Sequence, residues 1–233
     1  MKPAARLFLI HLSFCSASGA TAIAQTPPLP QDPFLARVET LALIETFNGR
    51  LLAAASATAT LEKWCADHRM ASPAKIIARR MTASEQEPDQ EASLETRRRL
   101  KAENGETIRH RHVQLMCGAH ILSEADNWYV PARLPAEANL MLETGDTPFG
   151  KAIQSLHASR RTIEAKILWS PLPEGWEMAA PATDAPFTPP HYLIEHRALL
   201  LTPDQTPISE VDEHYTREML DFDRRATPQA QKP

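Results

Sequence analysis

The chain has 233 residues, 43% hydrophobic and 23% charged, with a formal charge of −4 and 20 prolines against 7 glycines. This composition supports a domain of moderate size with a real core, and it excludes collagen-like, coiled-coil and wholly disordered chains. The mildly acidic balance gives no electrostatic reason to expect nucleic acid, so the partner expected is small.

Lys2 and Arg6 precede an apolar run over 7–14, and small residues follow as far as Ala22-Ile23-Ala24. This is the pattern of a secretory signal peptide, residues 1–24, cleaved after Ala24; its apolar part is about half of the ~20 residues a membrane span needs. Cleavage takes away two positive charges and no negative ones, leaving 23 basic against 29 acidic residues, net −6, and it removes Cys15. The expectation is a periplasmic or secreted protein without a membrane span after cleavage. In an oxidising compartment the remaining Cys65 and Cys117 are a disulfide candidate; the alternative is two buried thiols that never meet.

Residues 25–32 form a proline-rich, extended lead-in. From Pro33 the apolar positions Phe34, Val38, Leu41, Ile44, Phe47 and Leu51 recur every three or four residues, which predicts an amphipathic helix capped by Asp32. A second short helix begins near Ser56 or Thr58 and carries Leu61, Trp64 and Cys65. Residues 75–81 read as a strand and 82–95 as an acidic surface loop. Asn104-Gly105 supplies the positive φ angles of a tight hairpin between extended runs over 98–102 and 107–117. Another strand covers 119–130. Short helices over 135–143 and up to His157 precede two more strands, 162–169 and 192–201, on either side of a proline-rich loop over 171–190. Ile208, Val211, Tyr215, Met219 and Phe222 stand at helical spacing behind the start signals Thr206 and Pro207, so 204–233 are expected to form a C-terminal helix with a frayed tail.

Strands in a run with helices at both ends predict an α+β domain over 33–203, built on an antiparallel sheet of about five to six strands with flanking helices. The chain contains no nucleotide-binding glycine loop and no Gly-x-Ser-x-Gly elbow. Arg109, His110, Arg111 and His112 alternate along a strand, which places both arginines on one face and both histidines on the other. A His-x-His pair can hold zinc with a third ligand such as His120 or Glu124, yet no spacing compels it and the plainer reading is a solvated polar face. Neither a metal nor a cofactor is assigned.

Val113-Gln114-Leu115-Met116-Cys117, a strand closing at Trp128-Tyr129-Val130-Pro131, Leu140 to Leu142 and Thr147-Pro148-Phe149-Gly150 follow one another in an order that resembles the chorismate pyruvate-lyase family. Ser56-x-Thr58-x-x-Leu61 looks like that family's helix start, and Leu193-Ile194-Glu195 like its Glu-bearing strand. The same fold is similar to the effector-binding domains of some bacterial transcription regulators. The resemblance implies a small carboxylated or aromatic ligand and a cofactor-free elimination of pyruvate from chorismate to leave 4-hydroxybenzoate; the alternative is a non-catalytic periplasmic domain on the same fold that binds a small anionic or aromatic ligand or interacts with another protein. The resemblance gives Glu195 the acidic role and puts Phe149 in the pocket wall. Ala57 stands where the family has a methionine. The carboxylate-binding arginine falls on His112, with Arg111 beside it. Ser56, Thr58, Thr147 and Gly150 complete the implied ligand site.

Overall fold

The structure, a computed structural model, describes residues 32–81, 92–178 and 187–223. Helix α1 (Pro33–Ala53) begins where the Asp32 carboxylate accepts the Phe34 amide, and it buries Ile44, Phe47 and Leu51. Helix α2 (Ala57–Asp67) is capped by Ser56, whose hydroxyl accepts from the Ala59 amide, and it buries Leu61, Trp64 and Cys65. Both starts match the capping residues in the sequence.

Six strands form one sheet: β1 (Ile76–Arg80), β2 (Arg109–Cys117), β3 (His120–Tyr129), β4 (Ser159–Ile167), β5 (Tyr192–Leu201) and β6 (Pro207–Thr216). Their order is β1-β2-β3-β6-β5-β4, with every neighbour antiparallel. The α+β architecture and strand number are as expected. Helices α1 and α2 pack on one face, where Phe47 meets Trp64 and Tyr215 edge-on at ring-centroid distances of 4.8 and 5.3 Å. A disulfide between Cys65 and Cys117 ties α2 to β2, which decides between the two alternatives for these cysteines.

Two expectations are corrected. The run over 98–102 is not a strand: its first two residues end helix α3 (Leu94–Arg99), whose last turn carries Arg97, Arg98 and Arg99. Ser93 caps it by accepting the Thr96 amide, and Glu95 pairs with Arg99 one turn on. Gly105 does take a positive φ, 83°, but its turn joins this helix to β2 instead of joining two strands. The C-terminal helix is also absent, because 207–216 form β6 in the middle of the sheet. Here the period-two set Ser209, Val211, Glu213 and Tyr215 prevails over the helical spacing, since insertion between β3 and β5 satisfies backbone groups on both sides. Among the described residues a short 3-10 turn, Arg217–Leu220, follows; its Met219 carbonyl accepts the buried Trp64 indole N–H at 2.9 Å. The boundary expected at 203 therefore disappears, and the described residues beyond it belong to the same compact unit as those before.

Helices α4 (Ala136–Thr144) and α5 (Phe149–Ala152) lie between β3 and β4 in the chain. The expected signal peptide and lead-in through Gln31, positions 82–91 of the expected 82–95 loop, positions 179–186 of the expected 171–190 loop and the positions beyond 223 lie outside the described residues. No described helix is long and apolar enough to cross a membrane.

Candidate functional site

The inner face of the sheet, the start of α2 and α5 enclose a cavity of about 330 Å³, at the small end of the range for ligand sites. Its walls are largely apolar: Ala57 from α2, Phe149 from α5, and Val113, Leu115, Ala125 and Val211 from three adjacent strands. Ser56, Thr58 and Gly150 also line it. Gly150 is needed there for close approach, since a Cβ at that position would come within 3.0 Å of the Thr58 hydroxyl and 3.1 Å of the Ser56 hydroxyl.

Strand alternation decides which charged groups enter. In β2 the residues facing the cavity side share parity with Cys117: Leu115, Val113 and then Arg111. Counting the arginine position five residues back from Cys117 mixes the two faces and lands on His112. His112 points to the other face, where its Nδ1 lies 2.8 Å from Asp126 Oδ1, an oxygen that His110 also reaches at 2.7 Å. Burial works against the charged imidazole, but the bond to Asp126 outweighs it and raises the His112 pKa. Arg111 reaches the cavity by simple alternation; no bulge in β2 is required.

Arg111 is 3% exposed. Its Nη2 donates to the Thr147 carbonyl at 3.1 Å, the contact through which Thr147 joins the site, and its buried Nε has no hydrogen-bond partner. No carboxylate among the described residues pairs with it. Burial, with a smaller contribution from Arg80, lowers its pKa to about 10, so it remains a cation near neutral pH. The other charged groups of the cavity are matched: Lys151 with Glu62, and Arg160 with Glu213 at 2.7 Å. The second of these pairs is almost fully buried, and Glu213 also accepts from the Tyr215 hydroxyl at 3.0 Å. Arg160 keeps its Nε and Nη1 without partners. The cavity thus combines an apolar slot with one uncompensated cation and a buried carboxylate.

Glu195 is not in this cavity. The β4–β5–β6 register puts it on the opposite sheet face, opposite Lys166 and His214, with Lys166 Nζ 3.3 Å from its Oε1. The resemblance alone gave Glu195 its role, and from Ile194 to Leu200 regular alternation along β5 turns it to the outer face. Two acids do line the cavity: Glu62, paired with Lys151, and the buried Glu213. Glu213 escaped the sequence reading because its segment was taken as a helix; the alternation Ser209, Val211, Glu213, Tyr215 is the signal that finds it. Arg160 stood just outside the strand expected from 162. Of the residues singled out beforehand, Ser56, Ala57, Thr58, Arg111, Phe149 and Gly150 come together here.

No family model matches the chain. Among solved structures, the effector domain of PhnF from Mycobacterium smegmatis is similar with a TM-score of 0.44 and 12% identity, over 70% of this chain and 90% of that one. A GntR-family transcriptional regulator from Bacillus cereus is similar with a TM-score of 0.37 and 11% identity, over 65% of this chain and 99% of that one. The uncharacterized protein y4mC of Sinorhizobium fredii (strain NBRC 101917 / NGR234) is 50% identical over 192 residues, which cover 81% of this chain and 79% of that protein. Identity of that extent places the chain in the same family as y4mC.

Proposed function

We propose that the protein is exported and binds a small carboxylate-bearing ligand in the cavity, with Arg111 as the anchor. The observation that carries this reading is the buried Arg111 guanidinium, which faces an apolar slot without a carboxylate partner. A buried cation left in that condition is costly, and a ligand carboxylate repays the cost with charge-assisted, geometrically selective hydrogen bonds. The apolar walls and the volume suit a single ring or a short branched acid. The Cys65–Cys117 disulfide and the leader-like run over 7–14 support the exported part of the reading.

A second reading is elimination of pyruvate from chorismate, as the family resemblance implies. One observation favours it: Glu213 supplies a carboxylate in the same cavity as Arg111, taking the acidic role that the resemblance gave to Glu195. Apolar walls would exclude water and orient the substrate.

Both readings are tested on one preparation of the mature chain from Gln25. Binding predicts that 4-hydroxybenzoate or a related aromatic acid raises the unfolding temperature, and that Arg111→Leu abolishes the rise. If no aromatic or short aliphatic carboxylate shifts it, the proposal is overturned. Turnover predicts stoichiometric pyruvate and 4-hydroxybenzoate from chorismate, lost in Glu213→Gln; ligand stabilisation without pyruvate leaves the binding reading and rejects the lyase.

A further inference from the structure

The sheet face turned away from the cavity has no assigned role, and its polar residues are ordered by strand register into rows. In one row Glu124 of β3 stands opposite His214 of β6, His214 opposite Glu195 of β5, and Glu195 opposite Lys166 of β4. In the next, Asp126 stands opposite Asp212, and Asp212 opposite Arg197. Asp212 and His214, two residues apart on β6, share this face with Glu195.

We propose that Glu195, Asp212 and His214 form a zinc site on this outer face, separate from the ligand cavity. One ligand atom from each lies within 4.8 Å of those of the other two. Ligands at about 2.0–2.2 Å from a tetrahedral zinc are about 3.4 Å apart, so small rotamer adjustments close the site. The three offer two carboxylates and an imidazole, a set that neutralises a divalent ion and suits zinc. His214 is about one third exposed, which leaves room for water as the fourth ligand.

A second observation points to a ligand independently of this clustering. Asp212 is 8% exposed, and its Oδ1 is buried without a hydrogen-bond partner, although Oδ2 accepts from Arg197. A buried carboxylate oxygen with empty lone pairs needs a donor or a cation. Asp126, directly opposite in the register, adds negative potential and supplies no proton donor.

The local partners allow the ion to enter. His214 Nε2 and Glu195 Oε2 are 4.0 Å apart, beyond a hydrogen bond, so neither atom is committed to the other. Lys166 holds Glu195 at 3.3 Å but also Glu164 at 2.9 Å, and can release the first while keeping the second. Arg197 on Asp212 Oδ2 would orient the ligand from behind, as outer partners of metal ligands commonly do. The other histidine pair is differently engaged: His110 and His112 share Asp126, while Glu124 accepts from Gln114 and Tyr192. The zinc candidate with His120 or Glu124 as third ligand is therefore not assembled.

The test uses the purified chain, stripped with chelator, loaded with zinc chloride and dialysed. One zinc per chain is expected by elemental analysis, with tighter retention than in His214→Gln or Glu195→Gln by at least tenfold and an unchanged affinity in His112→Gln. Circular dichroism and urea unfolding of the metal-free variants establish that each is folded. Absence of stoichiometric zinc overturns the proposal. So does zinc kept equally by His214→Gln and Glu195→Gln, or zinc released only by His112→Gln, which would place the ion on the other histidine pair.

Discussion

The two faces of the central strands are made from alternate residues of the same segments, yet they handle charge in opposite ways. On the inner face Val113, Ala125, Val211 and Ala198 surround few charges, and one of these, Arg111, has no counter-ion among the described residues. On the outer face neighbouring strands pair their polar and charged groups laterally: the neutral Gln114 bridges Arg79 and Glu124, and His112 meets Asp126, Arg197 meets Asp212 and Lys166 meets Glu195. These groups range from the half-exposed Lys166 to the buried Asp212, but each has a lateral partner, which offsets the cost of burying it. A buried charge without a partner costs far more, so an unmatched one implies a ligand more strongly than any number of surface charges would.

The largest expected effect tests that asymmetry at Arg160, whose side chain is 1% exposed against Glu213. Arg160→Met leaves the Glu213 carboxylate buried without its cation and is expected to cost about 3–5 kcal/mol in urea unfolding. Adding Glu213→Leu should recover much of that loss, because replacing both charges removes the uncompensated one. A single-variant cost below about 1 kcal/mol, the scale of an exposed pair, would erase the distinction between the faces.

Next in size is the covalent link from α2 to the inner face. Cys65→Ser with Cys117→Ser is expected to cost about 4 kcal/mol, the chain-entropy value for a loop of 52 residues. The same change should loosen the Ser56 to Thr58 wall, so ligand-induced stabilisation should fall together with stability. Loss of stability with unchanged ligand response would show that the cavity wall is held by packing around Phe47 and Trp64 alone.

How much of this was legible in the sequence follows the same division. Helix starts were readable because a cap is a local device: Asp32 and Ser56 each satisfy an amide within three residues. Strand existence was readable for 75–81, 107–117, 119–130 and 192–201. Which face a residue takes was harder, since one inserted residue reverses every side chain beyond it. A resemblance in sequence order says nothing of the face, so Glu195 was given a pocket role although it faces outward, and a count that crossed parity assigned the arginine role to His112, with Arg111 beside it. In the tail two local periods compete, the helical spacing and the alternation Ser209, Val211, Glu213, Tyr215. Nothing within 207–216 announces that β3 and β5 lie on either side of it, and those non-local hydrogen bonds decide between the two periods.

The smallest effect concerns the outer face and depends on pH. Asp126 is held well below the ordinary carboxylate range: burial alone would raise its pKa, but hydrogen bonds from His110 and His112 outweigh that. His112 is shifted the other way, above 6.5, by the same contact. A histidine whose folded pKa is raised contributes stability that is complete below its unfolded pKa and is lost as pH rises through the folded value. Asp126, being depressed, contributes stability that is lost only in acid, as pH falls below its unfolded pKa of about 4. The His112–Asp126 pair should therefore stabilise most between about pH 4 and 6.5, and its histidine part should fade above that window. Urea unfolding at pH 6 and pH 8.5 should show the parent losing about 1 kcal/mol more than His112→Gln, the scale of a half-exposed charged hydrogen bond. Equal slopes would mean that the His112–Asp126 contact contributes no pH-dependent stability. A loss of several kcal/mol would mean that this face is as poorly solvated as the cavity, and the contrast between the two faces would then rest on Arg111 only.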